Sequence, residues 1–168
     1  MGEADAEQHL GKNYDTYGIR LYRYALVLVQ RQRDAEDAVQ NVFVRLAGRT
    51  DGDLPEMRNV SAYLFQAVRN EAASCLRRRR RSRARETDLG AAEYLVGANG
   101  VPADDGRRRR IAHALGRLGP EQREVVALHA FEGLTFAEIA ALLGHSPHTV
   151  ASRYRLGVAK LARWLREG

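Results

Sequence analysis

The stretch Thr135–Leu165, TFAEIAALLGHSPHTVASRYRLGVAKLARWL, leaves a chain few ways to fold. Thr135 and Glu138 have the spacing of a capping box, in which a hydroxyl and a carboxylate three residues apart satisfy amide donors at a helix start. The helix they open would bury Phe136, Ile139, Ala140 and Leu143. Gly144 suits a left-handed C-terminal cap, and Ser146 followed by Pro147 suits an N-cap and a first helical position. Two helices so closely joined form a helix-turn-helix or an αα-hairpin. In the second helix Val150, Tyr154, Gly157, Val158, Leu161 and Leu165 form an inward stripe. His148, Ala151, Ser152 and Arg155 fall on another face near its start, where a DNA-reading helix reaches base edges. An ordinary hairpin with a solvated polar face fits the same pattern.

Charge favours a polyanionic partner. The chain of 168 residues carries 27 Lys and Arg against 21 Asp and Glu, a formal charge of +6. Five consecutive arginines, Arg77–Arg81, repel one another unless something such as phosphate neutralises them. The single cysteine, Cys75, excludes an internal disulfide and a CxxC metal site, and lies on an apolar stripe as core. His129, His145 and His148 have no cysteine or carboxylate cluster at zinc spacing, so neither metal nor cofactor is expected. With no apolar run near the ~18 residues of a membrane span and no signal-peptide layout, a cytoplasmic protein without membrane insertion is expected.

The other helices follow from periodicity. Tyr14–Val29, after a frayed end, places Ile19, Tyr22, Ala25, Leu26 and Val29 on one side. After a break at Gln30–Arg33, Asp34 offers a cap for a helix that buries Ala38, Val39, Val42, Phe43 and Leu46 and turns Glu36, Gln40, Asn41 and Arg45 outward. Gly48–Asn59 is a polar loop. Ser61 would then cap a long helix with Leu64, Phe65, Val68, Ala72, Cys75 and Leu76 inward. Glu86–Gly106 lacks Lys and Arg and is rich in acids and glycine, a flexible acidic linker. Beyond it, Ile111, Ala114, Leu115 and Leu118 line one short helix, and Val125, Val126, Leu128 and Phe131 the next; Trp164 should pack beneath the last. The fold class is all-α: two small helical domains, residues 10–85 and 107–168, joined by a linker at 86–106, the second a four-helix helix-turn-helix domain.

Three strings in this order resemble the extracytoplasmic-function group of bacterial RNA polymerase sigma factors. DAEDAVQNVFVRL, Asp34–Leu46, is similar to the helix that grips the polymerase clamp. AYLFQAVRNEAASCLRRRR, Ala62–Arg80, resembles the helix that recognises and melts the minus-10 element. LGRLGPEQREVVALHAFEGLTFAEIAALLGHSPHTVASRYRLGVAKL, Leu115–Leu161, resembles the minus-35 reader.

The resemblance implies a non-enzymatic initiation factor that binds core RNA polymerase and directs promoter-specific transcription. Glu36, Asp37, Gln40, Asn41 and Arg45 would bind polymerase, with Asn41 standing where a glutamate is common. Arg69 and Asn70 would contact minus-10 DNA, where duplex melts and a non-template base is held, and Arg77, Arg78, Arg79 and Arg80 would bind its phosphates. Thr135, His148, Thr149, Ala151, Ser152, Arg153 and Arg155 would serve the minus-35 duplex, with Arg153 on phosphate. Ala151 and Leu156 replace commonly basic residues, so direct reading shifts toward Arg155 and Ser152. An anti-sigma factor is a further implied partner. The alternatives are a stand-alone helix-turn-helix regulator with an N-terminal sensing or dimerisation domain, and a nucleic-acid-processing enzyme. The enzyme is disfavoured because the sequence shows no carboxylate cluster or activated nucleophile.

Overall fold

In the computed structural model, residues 3–48, 60–82 and 105–167 are described. The loop expected within Gly48–Asn59 and the linker expected at 86–106 lie almost wholly outside them. Among the described residues there are seven helices and no strand: α1 (Glu3–Val29), α2 (Gln32–Ala47), α3 (Val60–Ser82), α4 (Asp105–Arg117), α5 (Pro120–Ala130), α6 (Phe136–Leu143) and α7 (Pro147–Glu167).

Helices α1, α2 and α3 pack on one another around Leu26, Val29, Ala38, Val42, Leu64, Phe65, Val68 and Ala72. The stripes on α2 and α3 match the expected periodicity, with Glu71 buried as well. The helix ends differ from expectation. Helix α1 starts at Glu3 rather than near Tyr14, since no proline interrupts the sequence between them. Asp34 lies in the first turn of α2, whose N-cap is Arg31, and Ser61 lies inside α3. At the corner between α1 and α2, Gln30 adopts φ +55°, a left-handed helix end unusual for a residue with a side chain. Its amide donates to the Leu26 carbonyl at 2.9 Å, and Arg79 of α3 donates to the adjacent Val29 carbonyl at 2.7 Å.

Helices α4, α5 and α7 enclose a second cluster of Ala112, Leu115, Leu118 and Val126, with Trp164 packed against it as expected and the Arg117 guanidinium 4.4 Å from its ring centre. Gly157 of α7 is required by the close approach of α5: a Cβ there would lie 2.9 Å from Val126 Cγ2. Val158, expected inward, is exposed, because the tight crossing at Gly157 turns its side away from α5.

The largest departure concerns α1. Ile19, expected in the core, is 51% exposed, whereas Leu21 and Tyr24 are buried. A helix on a single small core buries one stripe, but α1 is sandwiched. It packs on α2 and α3 on one side and on α5 on the other, and one apolar cluster runs from Leu21 and Phe65 to Leu128, Ile139 and Val150. The two helical groups are therefore in direct contact.

Candidate nucleic-acid interface

The turn from α6 to α7 follows the sequence closely. The Glu138 amide donates to Thr135 Oγ1 at 3.2 Å and the Thr135 amide to Glu138 Oε2 at 2.8 Å, a complete capping box. The Thr135 amide first, and second the Thr135 hydroxyl, which donates to the same Glu138 Oε2 at 2.8 Å, hold the Glu138 carboxyl below the usual carboxylate range. Gly144 closes α6 at φ +68°. Ser146 Oγ accepts from the Thr149 amide at 3.1 Å and so caps α7 at Pro147. Behind the turn, His129 Nδ1 donates to the Leu134 carbonyl at 2.7 Å, and its ring packs 4.5 Å from Phe136 and 4.7 Å from Tyr154. This aromatic trio braces α5, α6 and α7 together.

On the face so presented, Thr135, His148 and Arg155 are exposed and Thr149, Ala151 and Ser152 are half-buried. Arg155 reaches back to the Ala151 carbonyl at 3.4 Å. Arg153 is oriented differently: it ion-pairs with Glu121, in the first turn of α5, at 2.9 Å. A phosphate contact by Arg153 would have to compete with that carboxylate.

Along α3, Arg77, Arg78, Arg80 and Arg81 are exposed. Arg79 turns inward to the Val29 carbonyl and to Asp34, 3.5 Å away, and so belongs to the helix packing rather than to the exposed row. Asn70 is exposed, and its side-chain carbonyl accepts from Gln66 at 3.3 Å. Cys75 is buried beside Asp34; burial first, and that carboxylate second, raise its thiol above the ordinary value, which disfavours a reactive thiolate.

On α2, Glu36, Asp37, Gln40, Asn41 and Arg45 all lie on the exposed face. Two of them have partners on α3: Asn41 donates to Glu71 at 3.3 Å, and Arg45 ion-pairs with the same buried carboxylate. Glu36 and Gln40 also line a groove of about 460 Å³ between α1 and α2, floored by Ile19, Tyr22 and Val39.

Arg69 is not on an open surface. Its Nε donates to Glu124 of α5 at 2.9 Å, and the Tyr24 hydroxyl donates to the same oxygen at 2.7 Å. Burial works against the Arg69 charge, but the bond to Glu124 and its charge more than offset this, so the guanidinium is held more firmly protonated than usual. Burial, reinforced by Glu124, pushes the Tyr24 hydroxyl well above its ordinary value. Nearby, Arg20 and Arg23 of α1 bring their Nε atoms to the two oxygens of Glu132 at 3.0 and 3.1 Å, and Arg20 also donates to the Glu132 carbonyl at 3.1 Å. Sequence reading did not single out Arg20, Arg23, Glu71, Glu124 or Glu132. A charged residue in an apolar stripe, such as Glu71 between Val68 and Ala72, was the one signal available.

Against known proteins, Sigma-70 region 2 matches residues 14–82 and Sigma-70 region 4 matches residues 108–161. The ECF RNA polymerase sigma factor SigL of Mycobacterium tuberculosis is 31% identical over 170 residues, covering 99% of this chain and 94% of its own. The ECF RNA polymerase sigma factor SigK of Mycolicibacterium vanbaalenii is 27% identical, covering 98% of this chain and 85% of its own. In fold, the chain is similar to the sigma factor RpoE in its complex with the anti-sigma factor NepR from Bartonella quintana, with TM-score 0.76 and 22% identity over 95% of this chain and 98% of that one. CnrH, in complex with the cytosolic domain of CnrY, gives TM-score 0.69 and 28% identity over 98% of this chain and 95% of that one. These matches decide against the stand-alone regulator. The chain belongs to the ECF RNA polymerase sigma factors, DNA-recognition proteins that direct polymerase to promoters.

Proposed function

We propose that this chain binds core RNA polymerase through the exposed face of α2 and reads a promoter through two elements, with a minus-10 unit at residues 10–85 and a minus-35 unit at 107–168. Glu36, Asp37 and Gln40 make the polymerase contact, while Asn41 and Arg45 share theirs with Glu71. Asn70 meets an unstacked non-template base, because an amide can both donate to and accept from a base edge. Arg77, Arg78 and Arg80 fix the phosphates, which position the protein without carrying sequence. His148, Ser152 and Arg155 enter the major groove of the minus-35 duplex.

The observation that carries this reading is the doubly capped turn, which holds the exposed end of α7 in a fixed orientation. Tethering both units to polymerase raises the effective concentration of each at a promoter, so neither needs high affinity alone. An anti-sigma protein is the further partner, by analogy with RpoE and NepR. The reading places the chain in the cytoplasm, with no catalytic step of its own; no described helix is long and apolar enough to cross a membrane.

Reconstitution with purified core polymerase, with transcript starts mapped across genomic DNA, tests the proposal. Starts that appear only with the chain present, and that share two spaced elements, are expected; unchanged starts would refute it. Arg155→Ala should lower use of the upstream element while polymerase binding holds. Equal loss of both would remove Arg155 from the groove.

A further inference from the structure

Glu71 lies in the apolar stripe of α3, between Val68 and Ala72, with its side chain only 6% exposed. Both of its carboxylate oxygens are taken by α2: Oε2 accepts from Asn41 Nδ2 at 3.3 Å, and Oε1 pairs with Nη2 of Arg45. Burying a carboxylate is costly, and an ion pair returns little when its cation sits in water. Arg45 is such a cation, with 70% of its side chain exposed. An apolar side chain in place of Glu71 would avoid the cost and leave no buried charge behind, since Asn41 and Arg45 are both exposed. Stability therefore does not account for the carboxylate.

What the carboxylate does account for is the orientation of two surface side chains. Asn41 and Arg45 are four residues apart, one turn of α2, on the face that also carries Glu36, Asp37 and Gln40. An exposed arginine samples many rotamers, and ordering them on contact weakens binding. Glu71 holds this one beforehand. A guanidinium carries five N–H donors, so a head tied through Nη2 still has donors to give a partner. An ionised carboxylate only accepts, so Asn41 turns its nitrogen toward Glu71 and keeps its carbonyl oxygen for another partner.

We infer that Glu71, a buried residue of α3, is a positioning residue for the polymerase contact: it presets Asn41 and Arg45 on α2 and touches no partner itself. The inference rests on the polymerase-binding role proposed above for that face. It also gives the two side chains fixed tasks, Asn41 as acceptor and Arg45 as donor, beside the acids Glu36 and Asp37.

The test uses the full chain and purified core polymerase, with affinity read from fluorescence titration and stability from urea unfolding. Glu71→Leu should fold with an unchanged or higher urea midpoint, yet bind polymerase about tenfold more weakly, as expected when rotamer-rich side chains must be ordered on contact. Glu71→Gln keeps a carbonyl that Arg45 can use and should recover part of that affinity. With Arg45→Ala already present, Glu71→Leu should cost less affinity than it does alone, because part of its route is gone. Undiminished affinity in a folded Glu71→Leu chain, a Glu71→Gln chain as weak as Glu71→Leu, or losses that simply add with Arg45→Ala would each overturn the positioning role. If Glu71→Leu does not fold, Glu71→Gln takes its place beside Arg45→Ala, and additive losses there overturn the role in the same way. Binding by the unaltered chain separates the readings: if it binds polymerase and Glu71→Leu binds equally well, only the positioning is lost. An unaltered chain that does not bind removes the polymerase-binding role, and the inference with it.

Discussion

The turn between α6 and α7 and the seam that joins α1 and α3 to α5 and the turn after it are both closed by oxygen atoms accepting hydrogen bonds, but over very different lengths of chain. In the turn the capping side chains bond partners three residues away, as in Thr135 with Glu138 and Ser146 with Thr149. In the seam the partners are 55 to 112 residues apart. Local bonds form with little loop-closure cost and stay exposed to water, so each adds modest stability and fixes direction. Distant bonds form only after the chain has folded back, in a partly dry environment where an unmatched charge is costly. The turn is therefore suited to presenting a fixed reading face, and the seam to joining the two helical groups once both have formed.

The largest expected effect tests whether the seam shares its foundation with the first three helices. Phe65 is fully buried and stands edge-on to Tyr24 with ring centres 5.3 Å apart. Phe65→Ala should cost about 3 to 5 kcal/mol in urea unfolding. A cost confined to loosening of α5, with α1–α3 unaffected, would show that seam and core are separate. Tyr24→Phe keeps the ring and removes one donor to Glu124; about 1.5 to 3 kcal/mol should be lost, as for a hydrogen bond to a charged group. A negligible loss would mean that water substitutes freely and the seam is wetter than its burial implies.

Gly157→Ala addresses the other side of α5. The added methyl meets Val126 at 2.9 Å, and overpacking of this kind costs about 1 to 3 kcal/mol, read as a lower unfolding midpoint with faster exchange in α7. Thr135→Ala should cost about 1 kcal/mol, visible as faster exchange at the start of α6 with the seam unaffected. If the seam loosened equally, the turn would not be a local device.

The smallest effect is with pH. The Glu138 carboxyl is held below its ordinary value in the fold, so its contribution is complete above the ordinary carboxylate range and fades as pH falls through the lowered folded value. The difference in α6 protection between the unaltered chain and Glu138→Gln should accordingly narrow in acid. A difference that widens in acid would contradict the capping geometry.

Much of this arrangement was legible in the residue order. The capping box, the Gly144 cap, the Ser146–Pro147 restart and the stripes of α2 and α3 are encoded in spacings of three or four residues, and these survive whatever the rest of the chain does. The exposed polar faces of α2 and α7 follow, since a stripe that faces inward implies a face that does not. What sequence could not supply is which distant charges meet. With 27 basic and 21 acidic residues the possible pairings are far too many for spacing to choose among. Only tertiary packing turned Arg79 inward onto Val29, gave Arg153 to Glu121, and set Arg69 against Glu124. Packing also buried the second face of α1, exchanging Ile19 for Leu21 and Tyr24 in the core, because a helix pressed from two sides no longer obeys the one-stripe rule by which sequence is read.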